Sequence, residues 1–539
     1  MEKTQQKQSV VRSAAAMSLG TLSSRVLGVV RDVLLAAFFS RTVTDAFVVA
    51  FRLPNMFRRL LGEGSLSVSF IPIYIERRTP QQGQGEEAAL KSAQDLASGI
   101  LTLLVIVAGV LSALGVIFMK ELMALLVGGD GFLAVDGKLE ITIYLGRIMF
   151  GYLFLVTLYA YYMAIANAWK KFLVPAMAPA LFNLVFILFA LVPDGLLGFE
   201  PGEYLAWGVL VGGVVQMALV GHLLWKMGIL PRLRWRPWSV GGVKRVLVNM
   251  VPGVVGLGVL QLMSLVNVNL ASRLPEGSHS YIYWGDRILE LPQSLIAVSL
   301  GAALLPTLSQ LHAEKKLDEM LNTAREHLQL LLFLTLPSAV GLFLIAQTLS
   351  EALFMRGQFL RSDAVITANI IQIYALLLMA SSFSRVLVPS FYARKNTWLP
   401  ATVSAVTLVF HVFVALWSTD RYGLLGLVGA TTLSGFFNVM VLSLCYRAMI
   451  GPLGVKDIIS VGWRWLPGLA AMAVWVWVVQ DLLLAVWPEG RSLTRAVILI
   501  ATVLPAVFLY LGISAKMKVS EAEKVIGLLR RRFRRPTQP

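Results

Sequence analysis

Residues 100–118 read ILTLLVIVAGVLSALGVIF, an uncharged run in which only Thr102 and Ser112 carry hydroxyls. As an α-helix this run measures about 28 Å at roughly 1.5 Å per residue, close to the hydrocarbon thickness of a bilayer, about 30 Å. Residues 328–346 (LQLLLFLTLPSAVGLFLIA) repeat the pattern. Over the whole chain 57% of residues are hydrophobic and 14% charged, where soluble domains carry roughly 25% charged residues. Mean hydropathy is +0.73. A soluble fold of 539 residues would lack the polar surface to cover itself. Strand-length alternation does not recur, which argues against a β-barrel. The chain therefore reads as an all-α polytopic membrane protein.

Fourteen candidate spans lie near 13–39, 44–75, 93–119, 139–168, 172–192, 203–226, 244–273, 279–311, 325–347, 364–392, 397–418, 423–448, 458–487 and 492–514. The second and eighth are long, polar and interrupted by proline. Basic residues concentrate in alternate connections, among them Arg77/Arg78, Lys170/Lys171, Lys226–Arg245, Lys315/Lys316, Arg394/Lys395 and Arg447/Lys456. The positive-inside rule places these connections and both termini in the cytoplasm, which requires an even number of spans. The first apolar stretch contains Arg25, Arg31 and Asp32 with no small-residue cleavage site after it, unlike a secretory signal. The formal net charge of +17 then reports topology and lipid headgroups rather than nucleic acid, and the basic cluster at 530–535 fits the same reading. The one cysteine, Cys445, excludes an intrachain disulfide and reads as a core thiol. Five scattered histidines have no zinc-ligand spacing.

Two segment pairs repeat. Residues 168–176 (AWKKFLVPA) follow the fourth span and 393–401 (ARKNTWLPA) the tenth; 52–55 (RLPN) in the second span resembles 291–293 (LPQ) in the eighth. Each pair is six spans apart, so the halves share one orientation, as in transporters built from parallel repeats. The expected organisation is two six-helix lobes, 1–230 and 231–450, two extra helices at 451–515 and a basic tail at 516–539.

Charges inside spans carry the functional signal. The first span holds Arg25, Arg31 and Asp32; Arg25 and Asp32 are seven residues apart, on one helix face. The second holds Asp45, Arg52, Asn55, Arg58, Arg59 and Glu63, and the eighth Asp286, Arg287 and Glu290. A lipid-facing charge at mid-bilayer costs about 2.5–3.5 kcal/mol on the insertion scale, so these groups face one another or a wet cavity. Asp32, Asp45, Asp286 and Glu290 can each neutralise an arginine, leaving cationic excess. An anionic substrate suits such a cavity, and the planar guanidinium suits phosphate. Substrate binding is expected of Arg25, Arg31 and Arg287, with Asp32, Asp45, Arg52, Asn55, Arg59, Glu63, Asp286 and Glu290 supporting the cavity or its gates. No Walker motif is present, and the glycines at 253–258 lie inside a predicted span with no strand before them.

The motifs at 24–28 (SRVLG), Arg31–Asp32, 44–47 (TDAF), 53–55 (LPN), Arg58–Arg59, Glu63–Gly64, 70–72 (FIP), Asp286–Arg287, 290–292 (ELP) and 391–394 (FYAR) closely resemble the MurJ (MviN) lipid II flippases. These belong to the multidrug/oligosaccharidyl-lipid/polysaccharide exporter superfamily. The resemblance covers nearly the whole chain in order. It implies 14 helices, a cationic central cavity, and transport of undecaprenyl-diphosphate-linked peptidoglycan precursor across the bacterial cytoplasmic membrane. It also implies a lipid-tail groove on the two extra helices. By motif, the family's important charges fall on Arg25, Arg31, Asp45, Arg58 and Arg287, so the resemblance adds Arg58 to the expected substrate-binding residues. No cofactor is expected; membrane potential or an ion gradient would drive the cycle. A sodium site does not carry over, since the seventh span offers Asn267 and Asn269 but no acid. The expected partners are lipid II, membrane lipids and cell-wall synthesis machinery, for a monomeric transporter. Two other readings stay open: a flippase for another polyprenyl-linked glycan, and a membrane-embedded polyprenyl-phosphate enzyme.

Overall fold

A computed structural model describes residues 2–60, 66–80, 85–193, 196–294, 299–487 and 492–533, and every regular element among them is helical. The chain forms two compact units, Met1–Ser280 and Tyr281–Pro539.

Unit 1 contains α1 (Glu2–Phe38), α2 (Arg41–Leu60), α3 (Leu66–Arg78), α4 (Glu86–Ile117), α5 (Met119–Val127), α6 (Asp130–Leu133), α7 (Lys138–Ala168), α8 (Leu173–Ala190), α9 (Glu203–Lys226) and α10 (Val243–Ala271). The hub is α7, which packs on α2, α3, α4 and α9. It is tied by Tyr161, fully buried, whose hydroxyl donates to the Ala97 carbonyl of α4 at 2.6 Å. On the other side α8 packs between α1 and α9. The crossing of α1 and α8 is close because Gly20 has no Cβ; an added one would lie 2.6 Å from the Ala176 carbonyl oxygen.

The second unit takes up α11 (Ser278–Pro292) from Tyr281 onward, then α12 (Ser299–Ala313), α13 (Leu317–Phe354), α14 (Arg361–Ala393), α15 (Trp398–Met449), α16 (Val455–Gly462), α17 (Leu466–Val486), α18 (Ser492–Lys516) and α19 (Ser520–Phe533). Here α14 packs on α12, α13 and α15, while α13 also receives α17 and α18. Tyr510 of α18 joins Phe333 of α13, ring centroids 4.9 Å apart, and donates its hydroxyl to the Phe333 carbonyl at 2.8 Å. Cys445 is only partly buried against this core.

Among the described residues, nine helical stretches are long and apolar enough to cross a membrane; α10, bent by 41° between Val255 and Leu257, adds a tenth. The 52-residue α15 would measure about 78 Å if straight, more than twice the hydrocarbon thickness. It reverses at Gly423, with φ 58° and ψ −134°. Its halves form an antiparallel hairpin: Phe410 stacks on Phe437 at 4.1 Å, and a ring nitrogen of His411 meets the Ser434 hydroxyl at 3.0 Å. This matches the separate eleventh and twelfth spans expected from sequence. The remaining helices at predicted spans are ones that hydropathy passes over: α1, which is charged, and α2 with α3 and α11 with α12, which are charged and carry prolines.

The repeat is visible in backbone detail. After α7, the Lys170 N–H donates to the Asn167 carbonyl at 2.9 Å and the Lys171 N–H to Ala166 at 3.0 Å. After α14, Lys395 donates to Tyr392 at 2.9 Å and Asn396 to Phe391 at 3.0 Å. Both are Schellman caps, and both put lysine at the left-handed position, with φ 56° and 61°. Lys315 and Lys518 do the same after α12 and α18. Glycine is preferred there, because a Cβ in this region costs about 1 kcal/mol. All four lysines lie on the side the loop-charge rule assigns to the cytoplasm. A cation at a helix C-terminus also complements the helix dipole.

Two substitutions should therefore move stability in opposite directions. Gly423→Ala meets no atom within 4 Å, yet should destabilise by about 1–3 kcal/mol through backbone strain. Lys395→Gly should stabilise by about 1 kcal/mol. Thermal unfolding of the purified protein in one detergent checks both signs.

Candidate functional site

The arginine face of α1 is set by its crossing with α8. Arg31 is buried; its Nε and Nη2 donate to Asp32 Oδ1 at 3.0 and 2.8 Å, and Nη1 donates to Asn183 Oδ1 of α8 at 3.1 Å. Its guanidinium lies 5.5 Å from the centroid of the Phe186 ring. Asn183 in turn donates from Nδ2 to the Ser24 carbonyl at 2.9 Å. Helical spacing had aligned Asp32 with Arg25, but the neighbouring Arg31 is long enough to fold back and take the carboxylate. Arg25 is thereby left different in kind. It is half-buried, and no hydrogen bond, ion pair or ring contact joins it to another described residue.

On α2, Arg52 donates to the Ser264 hydroxyl of α10. Arg58 donates from Nε to Asn55 Oδ1 at 2.9 Å, one turn back on the same helix. Arg59 is half-buried on the same turn as Arg58. Glu63 lies outside the described residues.

Asp45 corrects the sequence reading, which paired it with an arginine. Its partner is Lys138, the first residue of α7, at 2.8 Å, and both side chains are 1% exposed. The carboxylate also accepts the Gly277 N–H at 2.7 Å, the Ser280 N–H at 2.9 Å and the Ser280 hydroxyl at 2.7 Å. Lys138 lies over the Phe132 ring at 4.5 Å, and His279, edge-on to Phe132, meets the Val268 carbonyl at 3.0 Å. Each acceptor position of Asp45 is thus engaged, so it serves as a latch that fixes α2, α7 and the turn after α10 together. Lys138 and Ser280 were missed from sequence. The available signal was Lys138 itself, a lysine at the basic-poor end of an apolar run. Asn269 of α10 is likewise occupied, donating to the Leu125 carbonyl at 3.0 Å.

In unit 2 the eighth-span cluster sits on α11. Arg287 pairs with Glu290 Oε2 at 2.9 Å and donates to the Tyr283 hydroxyl from Nε and Nη2, each at 3.2 Å. Its guanidinium lies 5.1 Å from the centroid of the Tyr283 ring. Arg287 and Glu290 keep 34% and 44% of their side-chain surface exposed, in contrast to the sealed Arg31–Asp32 pair at 10% and 5%. Asp286 is half-buried beside them. The structure thus sorts the predicted charges: Arg31, Asp32 and Asp45 are locked in buried contacts, while Arg25 is half-buried and Arg287 keeps 34% of its side-chain surface exposed.

Helical units that carry charged, broken spans beside fully apolar ones have the architecture of a multi-pass transporter. The family model described as "Lipid II flippase MurJ" matches residues 34–498. A "Probable lipid II flippase MurJ" of Bdellovibrio bacteriovorus is 40% identical over 99% of this chain and 98% of its own length. A "Lipid II flippase MurJ" of Burkholderia cenocepacia is 35% identical over 75% of this chain and 78% of its own. The chain belongs to the MurJ lipid II flippase family, whose members are transporters and not enzymes. Its fold is that of the solved "Lipid II flippase MurJ, inward closed conformation" (TM-score 0.71, 23% identity, covering 93% of this chain and 98% of that one). An inward-facing multidrug MATE transporter of the MOP superfamily shares the fold (TM-score 0.69, 16% identity, 82% of this chain and 98% of that one).

The latch gives a test of its own. Removing one partner of a buried ion pair costs about 3–5 kcal/mol because the other charge is stranded. Lys138→Met should cost that much, and Asp45→Asn combined with Lys138→Met should recover a large part of it. Thermal unfolding of the single and double variants measures the coupling.

Proposed function

We propose that this chain flips lipid II, the undecaprenyl-diphosphate-linked peptidoglycan precursor, from the cytoplasmic to the outer leaflet by alternating access. Kinship over the full length to lipid II flippases supports the substrate. The observation that carries the chemistry is Arg25, a guanidinium inside a predicted span with no counter-ion among the described residues. A guanidinium there is stabilised by a ligand that brings negative charge, and a diphosphate accepts its two parallel N–H bonds. Arg287 and Arg58 are the further contacts we assign to the substrate. Arg31 positions α1 against α8 rather than meeting the diphosphate directly.

In this reading the chain has 14 spans: the nine apolar stretches with α15 counted twice, bent α10, α1, α2 with α3, and α11 with α12. Both termini face the cytoplasm of a bacterial inner membrane, as the basic connections require. The headgroup enters from the cytoplasmic side while the polyprenyl chain stays in the bilayer or against α17 and α18. Charge neutralisation at Arg25 lets the inner side close and the outer side open. An inside-negative potential favours outward movement of negative charge by about 2.3 kcal/mol per charge per 100 mV. The protein acts as a monomer alongside the cell-wall synthesis machinery. The MATE fold alone would also allow a drug exporter, but a cationic cavity repels cationic drugs.

Arg25→Ala and Arg287→Ala should each lose a charge-assisted contact of about 1.5–3 kcal/mol, lowering flipping by roughly 10- to 100-fold, with the protein still inserted. Arg25→Lys should retain part of the activity. The measurement is complementation of a flippase-depleted strain together with the leaflet in which lipid II accumulates. Full complementation by both alanine variants would overturn the assignment.

A further inference from the structure

Unit 2 holds a cationic cavity remote in sequence from Arg25 and Arg287. It encloses about 400 Å³ and is lined by Gln347, Glu351, Arg361, Gln480 and Arg495, with Thr348 and Leu484 completing the wall. Glu351 and Arg495 are only 3% and 4% exposed, and their carboxylate and Nε are 3.0 Å apart. Arg361, 69% exposed at the mouth, stands 3.7 Å from the other oxygen of Glu351. That oxygen already accepts from Gln347 Nε2 at 3.0 Å. One carboxylate therefore faces two guanidiniums, and the cavity carries net positive charge. Gln480 donates to the Leu344 carbonyl at 3.3 Å, while its buried Oε1 has no hydrogen-bond partner among the described residues.

The cavity sits at the ends of α13 and α17 and the beginnings of α14 and α18, opposite the basic connection at Lys315/Lys316. The 25 residues of α18 measure about 38 Å, longer than a hydrocarbon core of about 30 Å. The ends of α18 thus reach headgroup depth. Arg495 is in its first turn, and Glu351 is one turn from the end of α13.

We propose that this cavity binds the phosphate group of a lipid whose headgroup also carries hydroxyls, in the leaflet away from the basic connections. Arg361 and Arg495 meet the phosphate, and Gln480 Oε1 accepts a headgroup hydroxyl. Glu351 holds Arg495 in place and prevents the site from binding multivalent anions indiscriminately. This site is separate from the flipping reading and stands without it.

The test titrates purified full-length protein in a neutral detergent with dioctanoyl phosphatidylglycerol, dioctanoyl phosphatidylcholine, farnesyl diphosphate or inorganic phosphate, reading the shift in thermal midpoint. A saturable shift with phosphatidylglycerol, absent with phosphatidylcholine and weakened at least tenfold in Arg361→Ala, supports the site with a bilayer lipid as its source. An Arg361-dependent shift that is larger with farnesyl diphosphate would overturn the assignment to a hydroxyl-bearing headgroup and point to a polyprenyl diphosphate. An equal Arg361-dependent shift with inorganic phosphate would overturn the assignment to a lipid and point to a soluble phosphate. Arg361 is exposed, so its variant should fold, and Gln480→Leu should weaken phosphatidylglycerol while leaving inorganic phosphate unchanged. Equal shifts for wild type and Arg361→Ala with every phosphate ligand would overturn the proposal. Arg25→Ala should bind here like wild type, which separates failure of this site from failure of the flipping mechanism.

Discussion

A guanidinium cannot be stripped of water and left against hydrocarbon, and most of this structure follows from how that constraint is met. Hydrocarbon offers no hydrogen bonds, so each charge within a span must find a protein partner, a wet cavity or a ligand. Arg31 takes the first course, shared between Asp32 and Asn183, and the α1–α8 crossing is drawn tight around it. Asp45 and Lys138 take it too, at the opposite edge of α7 from the Lys170 turn. Arg25 has no such partner among the described residues, and this is why the proposed reading assigns it to the substrate.

Much of the architecture was legible because the bilayer imposes so simple a rule on sequence. Apolar runs such as 100–118 fall in α4, and the paired turns at 168–176 and 393–401 close with the same two hydrogen bonds. The hairpin at Gly423 was also legible, as a polar break between two runs. Pairing partners were less so. Asp32 is bonded to the residue beside it because arginine reaches back along its own helix, which no periodicity argument weighs. Lys138 was passed over because a lysine at the end of an apolar run usually snorkels to water, whereas this one turns inward to Asp45. The Glu351–Arg495 pair joins residues 144 positions apart by their numbers, and nothing local in either helix announces the other.

Charge is handled in two ways along the chain. At four helix ends, lysines occupy left-handed cap positions at a cost in backbone strain, and their charges remain exposed. Lys138 and Arg495 are instead buried and paired, with Asp45 and Glu351. A sequence count registers both groups as positive charge, although the second set is largely cancelled by its carboxylates.

The Asp45 latch has a consequence for how the chain is made. Asp45 leaves the ribosome 93 residues ahead of Lys138 and 232 ahead of Gly277. Its carboxylate is therefore made before eight further helices, α3 to α10, have followed. Only when α10 has entered and its following turn emerges do the Gly277 and Ser280 amides arrive to complete the site. Unit 1 is in this sense finished by residues synthesised after its sixth span. A nascent chain that stalls earlier carries a carboxylate that still lacks its Gly277 and Ser280 donors.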